Sequence, residues 1–195
     1  PKSTIDRITL TLPHPFPPKS AGAPPSTAPY IIKSYTDLMA LQQQVREENP
    51  AKGLYYRLDA DIDCAGQNYY FTPIGFISAN DDYALRDNTV PGTPFTGHFD
   101  GNGHTIKGID YECGKLAGTG AFSWLAPGAS VSNLTVSGST FNSEGISTGA
   151  IAGYNEGEII NCTSLNNQVR FTDHSGGGIA GGSTGLSEGC VSTSI

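Results

Sequence analysis

Two consecutive stretches near the C-terminus match each other when laid side by side. They are VSNLTVSGSTFNSEGISTGAIAGYNEGE (131–158) and IINCTSLNNQVRFTDHSGGGIAGGSTGL (159–186). Eight positions are identical: Asn133/Asn161, Thr135/Thr163, Ser147/Ser175, Gly149/Gly177, Ile151/Ile179, Ala152/Ala180, Gly153/Gly181 and Gly157/Gly185. A fixed period of this size, about 28 residues, is the signature of stacked repeats. Each period holds only short β-type runs punctuated by Gly and Asn, with no room for a helix. The expected fold is therefore all-β, a parallel β-solenoid in which one period makes one coil and strands pair from coil to coil.

Such stacking predicts columns of equivalent residues. Leu134, Cys162 and Cys190 fall at one repeat position. Counting back one period from Leu134 reaches Ile106, and all four are expected in one inward column. Asn133 and Asn161 should share a bend, with amides bonding along the ladder. NLT (133–135) and NCT (161–163) both match the glycosylation acceptor pattern, yet their equivalent placement is explained by a structural ladder. Cys162 and Cys190, as neighbours in a stack, lie where a disulfide is geometrically possible. Buried free thiols are the expectation, because Cys packs as a small hydrophobe.

Upstream, the chain divides in two. Residues 1–29 hold one alternating run (Ile5, Ile8, Leu10, Leu12) and then seven prolines between Pro13 and Pro29. This is read as a strand followed by a Pro-rich linker or arm. Residues 30–195 are read as the solenoid domain. Within it, Leu38, Leu41 and Val45 recur at helical spacing, Thr36 can cap and Pro50 stops. This predicts one helix over 34–49, capping the N-terminal end of the coils. GLYYRLDADIDC (53–64) alternates, with Leu58, Ala60 and Ile62 on one side and Asp59, Asp61 and Asp63 on the other. Residues 78–94 form a polar loop longer than most connections.

Bulk properties remove several classes of function. A net charge of −7 lacks the basic footprint of a nucleic-acid binder. No apolar run is long enough to insert into a membrane as a helix. The four cysteines form no CxxC pair. The chain begins at Pro1 without Met, so it is read as a processed piece of a longer protein.

FTGHFDGNGHTIKGI (95–109), GAFSWL (120–125), VSNLTV (131–136), TGAIAGYNEGEIINC (148–162) and GGGIAGGSTG (176–185) resemble the GLUG-repeat proteins of bacterial surfaces. These include adhesins and the non-catalytic N-terminal region of certain secreted immunoglobulin A metalloproteases. YTDLMAL (35–41), YYRLDADIDCAG (55–66) and FTPIG (71–75) match the lead-in to the first repeat. The resemblance implies a right-handed parallel β-helix on a secreted or surface-anchored protein, and no catalysis. Residues 1–29 have no counterpart in it.

The residues that could carry chemistry are few. His98, Asp100 and His104 surround Asp100-Gly101-Asn102-Gly103, a dense turn signal, and their spacing demands no metal. EF-hand loops begun at Asp59 or Asp100 lack Gly at position 6 and fail. The Asp59/Asp61/Asp63 row is better read as a solvated strand face than as a calcium cage. His14 and His174 are read as solvent-exposed. HExxH and P-loop motifs are absent. No cofactor or metal is expected. The contact patch is placed in the 78–94 loop, at Asp81, Asp82, Tyr83, Arg86 and Asp87, with a glycan or protein of the host or environment as partner. The function expected is a non-enzymatic adhesin or structural module outside the cell. The alternative is a polysaccharide lyase or glycosidase, since one fold hosts many functions.

Overall fold

The structure, a computed structural model, describes residues 29–48, 53–67, 71–77, 92–113, 118–172 and 175–193. They form one short helix followed by a β-solenoid of about five coils. Five parallel sheets run along the solenoid as its faces. The first face stacks Tyr30–Ile32, Tyr55–Leu58, His98–Asp100, Ser130–Ser132, Glu158–Ile160 and Leu186–Glu188. The second stacks Ile62–Asp63, Thr105–Lys107, Thr135–Ser137, Thr163–Leu165 and Val191–Thr193. The third holds Asp110–Cys113, Thr140–Ser143 and Gln168–Phe171, and the fourth Gly118–Thr119, Ser147–Gly149 and Ser175–Gly177. The fifth holds Phe122–Leu125, Ala152–Asn155 and Ala180–Ser183.

The register follows the repeat where the repeat is intact. Ser130 pairs with Glu158 and Glu158 with Leu186, one full period at each step. The same period separates the partners of the Ser147–Ser175 and Asn155–Ser183 hydrogen bonds. Leu134 and Cys162 are fully buried and Cys190 half-buried, in the common column expected. Ile106 does not belong to that column. It pairs with Val136, two positions beyond Leu134. Four residues join Leu125 to Ser130, whereas two join Asn155 to Glu158. The Ala126–Ala129 corner therefore carries two extra residues, and a count of one period back from Leu134 lands two positions off.

Alternation on the first face sets the core. Tyr56, Phe99, Val131 and Ile159 point inward and are buried, while the residues flanking them lie at the surface. Inside, the ring of Phe122 meets those of Phe95 at 5.3 Å and Phe99 at 5.2 Å, and Phe95 meets Tyr56 at 6.0 Å. Each such ring contributes roughly 1.5–3 kcal/mol by burial. The anticipated 53–64 strand is two strands, Tyr55–Leu58 and Ile62–Asp63, on different faces, because the chain turns a corner at Asp59–Asp61.

The helix spans Tyr35–Glu48 and buries Leu38, Leu41 and Val45 in the same cluster as Ile32 and Tyr56. Gln44 accepts a hydrogen bond from the Tyr56 hydroxyl at 3.4 Å. The cap is Ser34, not Thr36. Ser34 Oγ accepts from the Asp37 amide, and the Asp37 carboxylate accepts in return from the amides of Ser34 and Lys33. A reciprocal box satisfies more of the orphan donors than a lone threonine would.

The corners explain the asparagines. Asn102, Asn133 and Asn161 hold φ between 52° and 53°, and Gly189 follows Asn161 one coil on at φ 63°. Asn tolerates this left-handed backbone better than other side chains. The ladder is thus one of backbone conformation. Its amides do not run continuously: Asn133 Nδ2 donates to Asp100 Oδ1, and the Asn161 amide lies over Gly189. Buried amides bridge coils elsewhere. Asn167 Nδ2 donates to the Val136 carbonyl and its Oδ1 accepts from the Ser139 amide. Asn155 takes the Gly157 amide and donates to Ser183 and the Leu186 carbonyl.

Candidate functional site

Asp81, Asp82, Tyr83, Arg86 and Asp87 lie outside the described residues, as do His14 and His174. The segment containing the five is rooted in described structure. Phe76–Ile77 pairs antiparallel with Gly92–Thr93. Just outside that pair, Ile74 bridges to Phe122 and Phe95 to Leu125, continuing the fifth face by one coil. Two aromatic residues, Trp124 and Tyr154, face each other across neighbouring coils of that face and are half-buried. The Trp124 indole N–H donates to Glu156 Oε2 at 2.7 Å.

A groove of about 490 Å³ lies on the first face, along the solenoid axis. One wall is Tyr55, His98 and Ser130, three successive coils at one register position. The other is Arg57, Asp100 and Ser132 at the position two residues on. Tyr55 stacks on the His98 ring at 4.5 Å and 22°, and His98 Nδ1 lies 2.8 Å from Ser130 Oγ. Arg57 is steadied by Asp59 at 3.0 Å. Asp100 Oδ1 accepts from the Asn102 amide and from Asn133 Nδ2, so the carboxylate is fixed in place. A second hollow, of about 530 Å³, opens between Phe71, Gly108, Tyr111 and Glu112 at another corner.

The row of three aspartates does not form a cage. Asp59 pairs with Arg57. Asp61 Oδ1 takes the Thr105 amide at 2.9 Å and His104 Nδ1 at 3.1 Å. Asp63 takes the Ala65 amide and pairs with Lys107 at 3.2 Å. Backbone donors, then His104 and Lys107, hold the carboxyls of Asp61 and Asp63 below their ordinary value of 3.8. His98, Asp100 and His104 likewise go to separate partners. Among the described residues, no group of three His, Cys, Asp or Glu converges on a point that could hold an ion.

Two stretches, Gly145–Gly149 and Gly181–Gly185, spell Gly-x-Ser-x-Gly. A nucleophile elbow needs a strand-to-helix turn that exposes the serine to a histidine. Here Ser147 is buried at the start of a strand, 3.3 Å from Ser175 Oγ, and Ser183 accepts from Asn155. Both serines serve coil-to-coil bonding. Cys64, Cys162 and Cys190 are free thiols. Burial pushes the Cys162 thiol up to about 12, and it donates to the Ile160 carbonyl at 3.5 Å.

The groove residues were not singled out from sequence as a set. The chain between Tyr55 and His98 is much longer than one period and Tyr55 lies outside the regular repeat, so no fixed count links them. The available signal was alternation: His98 and Asp100 flank the inward Phe99.

No protein-family profile matches the chain. It is 28% identical over 150 residues to halomucin of Haloquadratum walsbyi, an alignment covering 73% of this chain and 2% of halomucin. A solved structure of a candidate immunoglobulin A1 protease from Bacteroides ovatus superposes with a TM-score of 0.46 at 20% identity, over 88% of this chain and 58% of that one. The chain thus spans a small part of halomucin and little more than half of the Bacteroides protein.

Proposed function

We propose that this chain is a non-enzymatic module of a secreted or cell-surface protein, a rigid rod that presents contact residues to a glycan or protein of its surroundings. The module belongs to a longer polypeptide of the GLUG-repeat kind, and its primary contact patch is Asp81, Asp82, Tyr83, Arg86 and Asp87. What carries the proposal is the use made of polar side chains along the coils. Asp59, Asp61, Asp63, Asp100 and Glu156 are each engaged by a neighbouring group, the first-face groove is lined by one carboxylate among the described residues, and of the two at the second hollow, Asp110 and Glu112, Glu112 accepts from the Asn142 side-chain amide. Hydrolysis by paired carboxylates needs two facing one cleft at a set separation. The similarity to halomucin, confined to 2% of that protein, supports use as one segment of a long chain.

The test is a glycan and protein array probed with the intact chain and with a form whose 78–94 loop is shortened. Ligands lost on shortening are the expected result, and an identical set of ligands from both forms removes the loop from the account. Incubation with acidic polysaccharides, with and without calcium, should yield no product; turnover in either condition contradicts the non-enzymatic assignment.

A further inference from the structure

We infer that the first-face groove between Tyr55–His98 and Arg57–Asp100 binds an uncharged oligosaccharide lying along the solenoid axis. None of its described lining residues belongs to the 78–94 segment, and the inference does not rest on that segment.

The groove has the dimensions and chemistry of such a site. Its two walls stand two residues apart on the same strands, about 6.6 Å. Pro29 extends the first wall by one coil, so the groove runs across four coils, about 14 Å at the coil spacing. Tyr55 and His98, stacked face to face at half burial, present a rigid aromatic edge along the groove against which the C–H face of a sugar ring can pack. Hydroxyl partners of both kinds line the opposite wall. Arg57 spends two N–H groups on Asp59 Oδ1 and keeps the rest of its five. Asp100 spends Oδ1 on its corner, and Oδ2 has no partner among the described residues.

Charge and backbone bonding decide the class of ligand. Arg57 is already neutralised by Asp59, Asp100 adds a negative charge, and the whole chain carries −7. An anionic sugar or nucleic acid would be repelled. A peptide is disfavoured for a different reason. Extended peptides gain affinity by adding to a sheet edge, whereas the groove lies on a sheet face whose main-chain groups are bonded coil to coil from Tyr55–Arg57 to His98–Asp100 to Ser130–Ser132. A neutral saccharide brings its own donors and acceptors and needs only the side chains.

The experiment titrates the full chain with neutral gluco-, manno-, galacto- and N-acetylglucosamine oligomers, with uronic acid oligomers and with extended peptides, followed by NMR at the His98 ring and by calorimetry. Three altered forms are compared: Tyr55→Ala, the groove-filling Ser132→Phe and the loop-shortened chain. At least one neutral oligomer should bind the intact and loop-shortened forms equally and bind Tyr55→Ala and Ser132→Phe about tenfold more weakly or worse. Ser132→Phe removes no native contact of the groove walls, so it decides the matter if Tyr55→Ala folds poorly. No neutral binder, preference for uronic acids or peptides, or affinity unchanged in Ser132→Phe would each overturn the inference.

Discussion

The two ends of the solenoid are built from the same coil but to different standards. From Ser130 onward, coils repeat at one fixed period and are made of Gly, Ser, Thr and Asn around mostly aliphatic inward residues, with Phe141 the one fully buried ring among the described residues there. Before it, the longer and unequal steps from Tyr55 to His98 and from His98 to Ser130 carry the interlocked rings, the ion pairs, the groove and the root of the long loop. Both regions bury their inward residues: Phe95, Phe99 and Phe122 are at most 1% exposed, and Val131, Ile151 and Ile159 0%. The regular coils provide register and length. The irregular ones provide surface chemistry, since an insertion in a solenoid moves outward without disturbing the stacked strands.

The largest effect should come from the interlocked rings. Phe122→Ala removes a ring held between Phe95 and Phe99 and is expected to cost about 3–5 kcal/mol. Leu186→Ala, at the outward register position of Ser130 and Glu158, should stay within about 0.5 kcal/mol. Denaturant midpoints of the two variants measure the contrast, and equal losses would erase it.

Close glycine contacts run through both regions, at Gly101 and Gly120 as at Gly149 and Gly181, and filling them should be costly in either. A Cβ on Gly149 would overlap the Ala152 carbonyl and approach Ala180 Cα to 2.7 Å. Gly149→Ala should destabilise by roughly 1–3 kcal/mol. Gly103→Ala tests a different effect, since nothing lies within 4 Å of its added Cβ and only its φ of 77° opposes the change. Its cost should be about 1 kcal/mol, and a larger cost than for Gly149→Ala would contradict the packing account.

At the corners, the residue type should be exchangeable. Asn161→Gly copies the Gly189 corner one coil on and is expected to change stability by at most about 0.5 kcal/mol, whereas Asn161→Ala should lose about 1 kcal/mol. Thermal unfolding of both separates a conformational role from a chemical one: comparable losses in the two would point to the amide itself.

The smallest effect is electrostatic and confined to the first coils. Asp61 and Asp63 have folded pKa values below 3.8, so the stability they contribute is present above that ordinary value. It is lost as pH falls through their lower folded values. Asp61→Asn with Asp63→Asn should therefore lower the denaturation midpoint slightly at neutral pH, with the two curves converging in acid. Parallel curves over the whole range would dismiss the linkage.

Much of the architecture was legible from the chain because the repeat is direct chemistry: equal spacing of Gly, Asn and inward apolar residues means equal coils. The Leu134–Cys162–Cys190 column and the helix burying Leu38, Leu41 and Val45 were read from spacing alone. Ile106 was misplaced because two added corner residues leave no mark on composition. Thr36 was preferred to Ser34 because a capping box is recognised only when Asp37 is seen to reach back. The groove was hidden by the residues inserted between Tyr55 and His98, since a three-dimensional neighbour so far along the chain follows no period.

The most direct measurement is dipolar EPR on nitroxide pairs in a chain whose four native cysteines are changed to alanine. Labels at residues 130 and 158 sit on register-matched outward positions, one coil apart at roughly 5 Å between strands. Labels at 130 and 144, half a period apart, sit on different sides of one coil. Strong dipolar broadening is expected for the first pair and little for the second. Equal broadening in both pairs, or none at 130 and 158, would contradict the stacking of one repeat period per coil.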